Sequence, residues 1–375
     1  MVPLQFFGGQ DPTLFLIITI AYALFFLVFA LGGTRIQAKL WLMQIWDFVR
    51  QVETWSEEGR KMAVRAIRAF SDGSVDVPSL VDGLLDFVLI EPVERDPVGV
   101  LKRLDHLLNV RQSRFRGLIQ EIAPKAGSDQ IANLEMVLEA ASALRQLFFI
   151  LRHFYLLSKE SGSIALVSQI QMLLPFLTKT ASAYKSALSA FYDGKPIGDG
   201  AGALAVSMLL RDLAKEAHFY SFDGELVKAE VTYKGRDVII LRAAGPSGRV
   251  GKPGEGLLKV LREKGNRVKR IIMIDAGIKF EGEETGKVAE GVGAAIGGPG
   301  VEKYKIEEVA LKYNLPLYAI AIKEDIKDVV APMKEAIFNG AEKAVEAVKR
   351  FVRERTAEGE VIIVVGVGNT VGIAQ

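Results

Sequence analysis

The second half of the chain alternates apolar β-type runs with helical patterns, and this alternation limits the possible folds more than any other feature. The apolar runs are rich in β-branched residues and cover 225–233, 237–244, 270–276, 317–322 and 361–367. Helical periodicity covers 201–216, 254–264, 303–314 and 332–355. Because such runs lie between helices, they indicate a sheet with helices on both faces. The first two runs meet at Lys234-Gly235, which predicts a hairpin. We therefore predict a three-layer α/β domain with a mixed sheet over 193–375.

The preceding region, 34–192, is predicted to be helical. Helical patterns cover 97–110, 113–124, 128–158 and 164–192, and another continues the N-terminal segment. The apolar stretch 163–177 carries two Gln and one Pro and is too short for a membrane span, so we predict a buried helix there. This helical domain is expected to serve structure and to contact a protein partner or a second copy of the chain.

An uncharged N-terminal run predicts where the protein resides. Leu14–Leu31 contains 18 residues without a charge, close to the ~20 that cross a bilayer. A signal peptide is the weaker alternative, because no basic residue precedes the run and no cleavage site follows it. Arg35 and Lys39 follow the run, so the positive-inside rule places the N-terminus outside. We predict a single-pass protein of the cell membrane, with the bilayer contacting residues 14–31, a tail and span over 1–33, and everything later in the cytoplasm.

The composition excludes several classes of site. The chain has no cysteine, so disulfides, thiolate chemistry and cysteine-based metal centres are excluded. Its 3 histidines are scattered, and the spacing predicts no metal site. The 47 basic and 45 acidic residues nearly balance, and no basic stripe with aromatics occurs, so no nucleic-acid partner is expected. The Lys- and Glu-rich usage is typical of thermophile proteins. The sequence identifies no cofactor.

Two aspartates occupy positions where open α/β sheets bind ligands. Asp199 lies within Gly198-Asp199-Gly200, directly before the helix predicted at 201–216, and Asp275 ends the apolar run 270–276. Each has a structural alternative: Asp199 can cap the helix, and Asp275 can bind the turn that follows. If the two carboxyls are neighbours, one can stay protonated and act as an acid while the other activates water. Alternatively, both can hold a divalent cation.

Glycine-rich turns supply the remaining candidate ligand-binding residues. The segments 291–297 and 366–372 share a G-x-G-x-x-x-G spacing, which differs from the dinucleotide fingerprint. The loop 243–256 carries two basic residues among glycines but fails the P-loop pattern, so a phosphate site and a mobile substrate loop both stay open. The candidate ligand-binding residues are Gly198, Gly200, Arg249, Lys252, Gly293, Gly297, Gly366, Gly368, Asn369 and Thr370.

The terminal turn, 366–372, follows an apolar run but leaves no room for a helix of its own. We predict that the run enters the sheet beside the unit that begins at "PIGDG", 196–200. The turn would then face the helix at 201–216 and complete the site there.

Several motifs make the whole chain resemble an uncharacterised archaeal family of single-span membrane proteins. They are "PIGDG", "IDAG", "GVGAAIGGPGVEKYKIEE" and a final "GVGNT", after one span and a run of helices. That family supplies no biochemical role.

The C-terminal half also resembles the phosphorylase/hydrolase-like fold of the germination protease and hydrogenase maturation protease group. Asp199 in "IGDGAGALAV", Asp275 in "MIDAG", a glycine-rich loop, a strand and a last helix occur in that group's order. The opening strand and G-x-G-N turn come last here, as in a circular permutation. The resemblance implies that Asp199 and Asp275 are the catalytic pair. The hydrogenase-protease members also bind nickel with a histidine, and no histidine follows Asp275.

Three functions follow as expectations. The first is a membrane-anchored hydrolase of peptidase type that uses Asp199 and Asp275. The second is a membrane-tethered sensor that binds a phosphate-bearing small molecule through the glycine turns, Arg249 and Lys252. The third is a scaffold without catalytic activity.

Overall fold

A computed structural model describes residues 12–92 and 99–374, with the backbone alone at 12–15, 27–31 and 223. The helices are α1 (Pro12–Arg68), α2 (Val77–Leu85), α3 (Val100–Ile122), α4 (Ser128–Ser161), α5 (Ile164–Asp193), α6 (Ala201–Leu213), α7 (Pro253–Lys264), α8 (Val301–Lys312), α9 (Ile326–Val329) and α10 (Glu335–Arg355). The strands are β1 (Tyr220–Asp223), β2 (Leu226–Tyr233), β3 (Arg236–Ala243), β4 (Val268–Ile278), β5 (Val288–Val292), β6 (Leu317–Glu324) and β7 (Val361–Gly366). The N-terminal half is therefore helical, as predicted, and an α/β region follows it.

The seven strands form one mixed sheet in the order β1-β2-β3-β7-β4-β6-β5. Strands β3, β7, β4 and β6 are parallel, while β1 and β2 at one edge and β5 at the other pair antiparallel. The last strand of the chain, β7, lies in the middle of the sheet, and all its residues are buried. Its unbroken apolar run suits this position, because a central parallel strand has helices on both faces.

The predicted hairpin is present between β2 and β3. Lys234 and Gly235 have φ values of 51° and 75°, as a two-residue turn between twisted strands requires. The mixed sheet that this hairpin implied is confirmed.

Helices cover both faces of the sheet. On one face, α6 and α10 pack against alternate residues of the central strands, such as Ile240, Ile272 and Val364. On the other face, α7 and α8 pack against the intervening residues, such as Leu241 and Met273. The three layers follow from this alternation, because successive side chains of a strand point to opposite faces.

Contacts divide the chain into two compact units, which are 1–53 with 147–178, and 54–146 with 179–375. In the larger unit the end of α1, α2, α3, the start of α4 and the end of α5 share one hydrophobic core. Ile197 and Val371, which flank the α/β region, belong to the same core. Helices from the first half of the chain therefore pack directly against the α/β region within this unit. The separately predicted helices 97–110 and 113–124 form the single helix α3, and residues 97 and 98 lie outside the described residues.

The smaller unit consists of the first part of α1, the last part of α4 and the first part of α5. The Trp46 and Tyr155 rings stack with centroids 4.8 Å apart, and Gln171 Nε2 donates to Gln44 Oε1 at 2.9 Å. The prediction of a buried helix at 163–177 was wrong, because only 17% of the most apolar window of α5 is buried. Its large side chains Met172, Leu173 and Phe176 are exposed.

In the described part of the chain, α5 is long and apolar enough to cross a membrane, by length and composition alone. The predicted span Leu14–Leu31 lies within α1, and the side chains of residues 14, 15 and 27–31 lie outside the description. Leu16–Phe26 forms a shorter apolar stretch whose large side chains are exposed.

Candidate functional site

A cavity of about 550 Å³ opens at the carboxyl-terminal ends of the parallel strands. Its walls come from α3, the segment 250–252, the end of β4, the glycine-rich loop 296–302 and the terminal turn. Asp199, Asp275, Gly297, Gly368 and Lys252 all line it. Five of the residues singled out in the sequence therefore share one cavity in the larger unit.

Asp199 lies in the helical turn Gly198–Gly200 that leads into α6. Its side chain does not cap α6; instead, Asn369 N–H donates to Asp199 Oδ2 at 2.7 Å. A side chain at Gly200 would clash with the Asn369 carbonyl, since its Cβ would lie 2.6 Å from that oxygen. Burial raises the pKa of Asp199, and the hydrogen bond from Asn369 opposes the rise.

Asp275 occupies β4 near its end and is 8% exposed. Ala276 N–H donates to Asp275 Oδ1 at 2.8 Å, so the carboxyl binds the backbone that follows it, as the structural alternative expected. Burial raises the pKa of Asp275 to about 8, and the charge of Asp199 adds to the rise. The backbone amides of Ala276 and Gly297 oppose it. The Asp275 carboxyl is therefore mostly protonated at neutral pH.

A third carboxyl, that of Glu324, adjoins this pair. Glu324 ends β6, the strand beside β4, and is fully buried. Neither of its carboxyl oxygens has a hydrogen-bond partner among the described residues. Burial, with the charges of Asp199, Asp328 and Asp275, raises its pKa to about 8. Glu324 was not predicted from the sequence. The apolar run before it indicates a buried strand end, but the charged residues in "KED" are typical of a solvent-exposed segment.

Gly198 makes room for the Glu324 carboxyl. A Cβ on Gly198 would lie 2.0 Å from Glu324 Oε2 and 2.4 Å from the Asp328 carbonyl oxygen. Asp328 itself is buried and lies 2.7 Å from Lys334 Nζ, so its charge is compensated. Among the described residues, no such cation compensates Glu324.

The terminal turn packs against the start of α6, as the sequence predicted. Gly368 has a φ of 118°, and a Cβ there would lie 1.7 Å from the Asp199 carbonyl oxygen. Gly366 is closed in by Val206 and by the Gly202 carbonyl, so its role is close packing of α6 on β7. Both glycines thus allow the terminal turn to reach Asp199.

Asn369 and Thr370 fix the turn from inside. Asn369 Oδ1 accepts from Val371 N–H at 2.9 Å. The buried Thr370 Oγ1 lies 2.7, 2.9 and 3.1 Å from the carbonyl oxygens of Ala244, Ser247 and Arg249. Thr370 therefore holds the loop after β3 to the terminal turn, and its hydroxyl faces that loop.

The remaining predicted ligand-binding residues are divided. Lys252 lines the cavity and is partly exposed. Arg249 does not line it, because its guanidinium lies 2.7 Å from Asp129 Oδ1 and also donates to Ser128 Oγ. Gly293 lies at the end of β5, where its N–H donates to the Leu317 carbonyl, outside the cavity lining.

One cluster of acidic side chains has the spacing of a metal site. Asp105, Glu255 and Glu302 each offer an oxygen within 4.8 Å of the others. Lys305 Nζ lies among them, at 3.0, 2.9 and 3.1 Å from one oxygen of each. These ion pairs raise the pKa of the Lys305 ammonium against the effect of burial. The ammonium supplies the positive charge of this cluster at the cavity rim.

The cavity combines apolar walls with carboxyl groups. Four carboxyl side chains line it, and Lys252 is the basic residue among the described lining residues. Such a lining favours a neutral or cationic ligand over a phosphate. It also offers groups that can hold and release protons near neutral pH.

Two domains of one known protein family together match nearly the whole chain. Residues 18–194 match the N-terminal domain of a protein family of unknown function, DUF1512, and residues 197–374 match the C-terminal domain of the same family. No curated protein sequence matches the chain. A crystal structure of a proteasome-assembly chaperone homologue from Mycobacterium tuberculosis is similar at 15% identity, with a TM-score of 0.26. The match covers 44% of this chain and 92% of that one, and at this score it does not assign a shared fold.

Proposed function

Because the chain belongs to the DUF1512 family, which brings no assigned activity, its role has to come from the site, and we propose that the α/β region is a hydrolase of peptidase type. Asp199 and Asp275 are its acid–base pair. The single observation that supports this role is that both carboxyls line one cavity at the carboxyl-terminal ends of the parallel strands. The earlier resemblance to the germination protease group points the same way and stays a prediction.

The two aspartates have different surroundings, which suits different roles. The negative charge of Asp199 contributes to the raised pKa of Asp275, and Asn369 N–H donates to the Asp199 carboxylate, so Asp199 is assigned as the ionised base. Burial and the negative charge of Asp199 hold the Asp275 carboxyl protonated, so it is assigned as the acid. Paired carboxyls with separated proton affinities can therefore operate together at neutral pH.

The proposed reaction is hydrolysis of an amide bond. Asp199 takes a proton from water while the water oxygen attacks the carbonyl carbon. Asp275 gives its proton to the leaving nitrogen, and the carbon–nitrogen bond breaks. The products are a carboxylic acid and an amine, and proton exchange with solvent restores both aspartates.

We further propose that residues 14–31 anchor the protein in a membrane, with the N-terminus outside. The large side chains of Leu16–Phe26 are exposed by 41% to 68%, which is unfavourable in water. Arg35 and Lys39 follow the run, and no acidic residue occurs from Pro12 to Trp46. This charge distribution supports a cytoplasmic position for the rest of the chain.

The sensor for a phosphate-bearing molecule has less support. Arg249 is engaged with Asp129, which leaves Lys252 to face four carboxyl groups in the cavity. A scaffold without catalytic activity is compatible with the fold, and it becomes the preferred function if no substrate is cleaved.

Peptide cleavage tests the hydrolase directly. The full chain, in lipid nanodiscs, is incubated with a proteome-derived peptide library, and new termini are identified by mass spectrometry. Asp199→Asn and Asp275→Asn should each abolish cleavage, while Asp212→Asn, in an ion pair with Lys349 outside the cavity, should retain it. Thermal unfolding of each variant verifies folding. Cleavage that survives either cavity substitution would refute the paired mechanism, and no cleavage by the wild-type chain would favour the scaffold.

A further inference from the structure

A second cavity, of about 320 Å³, lies along the later turns of α6 and the segment that follows this helix. All its lining residues belong to the larger unit, and it shares none of them with the cavity that holds Asp199 and Asp275. Its volume is at the lower end of the range of small-molecule sites, roughly 300–1,000 Å³. Much of its lining is apolar and includes Met208, Phe219 and Phe338. We call it the α6 cavity.

Three basic side chains line the α6 cavity, and none of them has a partner in the described part of the chain. Arg211, Lys215 and His218 are exposed to solvent. Within residues 12–92 and 99–374, no hydrogen bond or ion pair engages their side chains. No acidic residue is among the described residues that line this cavity. The α6 cavity is therefore positively charged, in contrast to the carboxyl-lined cavity around Asp275.

Neighbouring acidic residues and the helix dipole do not account for this charge. Asp212 lies 2.7 Å from Lys349 Nζ, and Glu216 is exposed but does not line the cavity. The dipole of α6 favours a basic residue in its last turn, which is where Arg211 lies. Lys215, however, lies beyond the end of α6, so the dipole does not explain its position.

A fourth basic group, that of Arg242, lies directly behind the lining. Its guanidinium is 4.6 Å from the centre of the Phe219 ring and donates from Nη2 to the Ala374 carbonyl oxygen at 2.7 Å. Both Phe219 and Ala374 line the cavity. Arg242 is 1% exposed, and its Nε has no hydrogen-bond partner among the described residues. Burial lowers the pKa of Arg242 to about 10. Because a buried charge without a counter-ion is unfavourable, an anion in the cavity would stabilise this arrangement.

We infer that the α6 cavity binds a small organic anion, whose charged group pairs with Arg211 and Lys215 while its apolar body lies against Phe219 and Phe338. The chemical class is a carboxylate with an aromatic or short aliphatic body. Phe338 is 41% exposed, and such a body would remove part of its ring from water. Guanidinium and ammonium groups supply charge-assisted hydrogen bonds to a carboxylate. This site is separate from the proposed hydrolase and does not depend on it.

Saturation-transfer NMR of the full chain in phosphatidylcholine nanodiscs measures this binding, with empty nanodiscs as the blank. The probe is 3-phenylpropionate. Two matched compounds separate its parts: 3-phenylpropanamide keeps the ring and lacks the charge, and acetate keeps the charge and lacks the ring. Arg211→Gln and Lys215→Gln each remove one charge from the cavity. Lys303→Gln is the control, because it removes an exposed charge on α8, on the opposite face of the sheet. Thermal unfolding verifies that each variant is folded.

The wild-type chain should bind 3-phenylpropionate about tenfold or more tightly than either matched compound, because each lacks one part of the recognition. Arg211→Gln and Lys215→Gln should each weaken binding by about three- to tenfold, and Lys303→Gln should leave it unchanged. No binding of 3-phenylpropionate above the blank would overturn the inference. Equal binding of the amide or of acetate would also overturn it, as would an affinity that survives both cavity substitutions.

Discussion

Replacing Glu324 with glutamine should stabilise the protein, and more so as pH rises. Glutamine has the shape of a protonated glutamate but needs no proton. The Glu324 carboxyl is fully buried and unpartnered among the described residues, so the folded chain must keep it protonated or bury a charge. Gly198, packed against it, leaves little space for water to enter.

The magnitude follows from the pKa of Glu324. Its folded-state pKa is about 8, against an ordinary value of 4.5. Since the folded pKa is raised, its contribution is fully present below pH 4.5 and is lost as pH rises through 8. At pH 7 the wild-type chain has lost about 3 kcal/mol that the variant retains, at roughly 1.4 kcal/mol per pH unit.

Thermal unfolding by far-UV circular dichroism measures this difference. The melting temperature of Glu324→Gln should nearly equal that of wild type at pH 4.5 and exceed it by roughly 6–12 °C at pH 7. Glu354→Gln, on the exposed end of α10, makes the same chemical change on the surface and should show no such trend. A difference that stays constant between pH 4.5 and 8, or a variant less stable at pH 7, would refute the reasoning.

Three further substitutions test the packing around the cavity by thermal unfolding. Gly198→Ala should lower the free energy of unfolding by about 2–4 kcal/mol, because the added Cβ would clash with the Glu324 carboxyl. The control Gly117→Ala, with open space in α3, should raise it by about 0.5–1 kcal/mol. Equal effects of the two substitutions would contradict this packing. Thr370→Val should cost about 1–2 kcal/mol and speed hydrogen exchange in the loop after β3, because the substitution removes the buried hydroxyl donor from the carbonyl oxygens of that loop. Unchanged exchange would count against this role of Thr370. Lys305→Met removes the ammonium from the cluster of Asp105, Glu255 and Glu302. Ca²⁺ should therefore raise the melting temperature of the variant but not that of the wild-type chain. An equal response of both proteins would show that Lys305 does not occupy the cluster.

The elements with strong periodicity were predictable from the sequence. Strands β3, β4, β6 and β7 contain the apolar runs of buried strands, β2 alternates apolar and polar residues, and all five were predicted. Strands β1 and β5 were missed because they are short edge strands; β5 is largely exposed and lies within a glycine-rich segment, so it carries no apolar pattern. The first half of α5 was predicted to be buried because its residues are apolar. Hydrophobicity alone, however, does not distinguish a buried helix from one that faces a membrane or a partner.

The candidate site was predictable where turn chemistry marked it. Asp199 and Asp275 stood at a helix start and a strand end, and the structure brings both to one cavity with Gly297 and Gly368. Glu324 could not be identified because its burial depends on the strand order β7-β4-β6 and on its contact with Gly198. The engagement of Arg249 was also beyond the sequence, since its partner Asp129 lies 120 residues away on α4.

The protonation of Asp275 tests the central claim most directly. Infrared spectra of the chain labelled with carbon-13 in its aspartate carboxyls, with Asp275→Asn subtracted, isolate this group. We predict a protonated carboxyl band at pH 7 that titrates near pH 8, and a lower midpoint in Asp199→Asn, because a neighbouring negative charge has been removed. A band that titrates near pH 4, or a midpoint unaffected by Asp199→Asn, would contradict the paired-aspartate site.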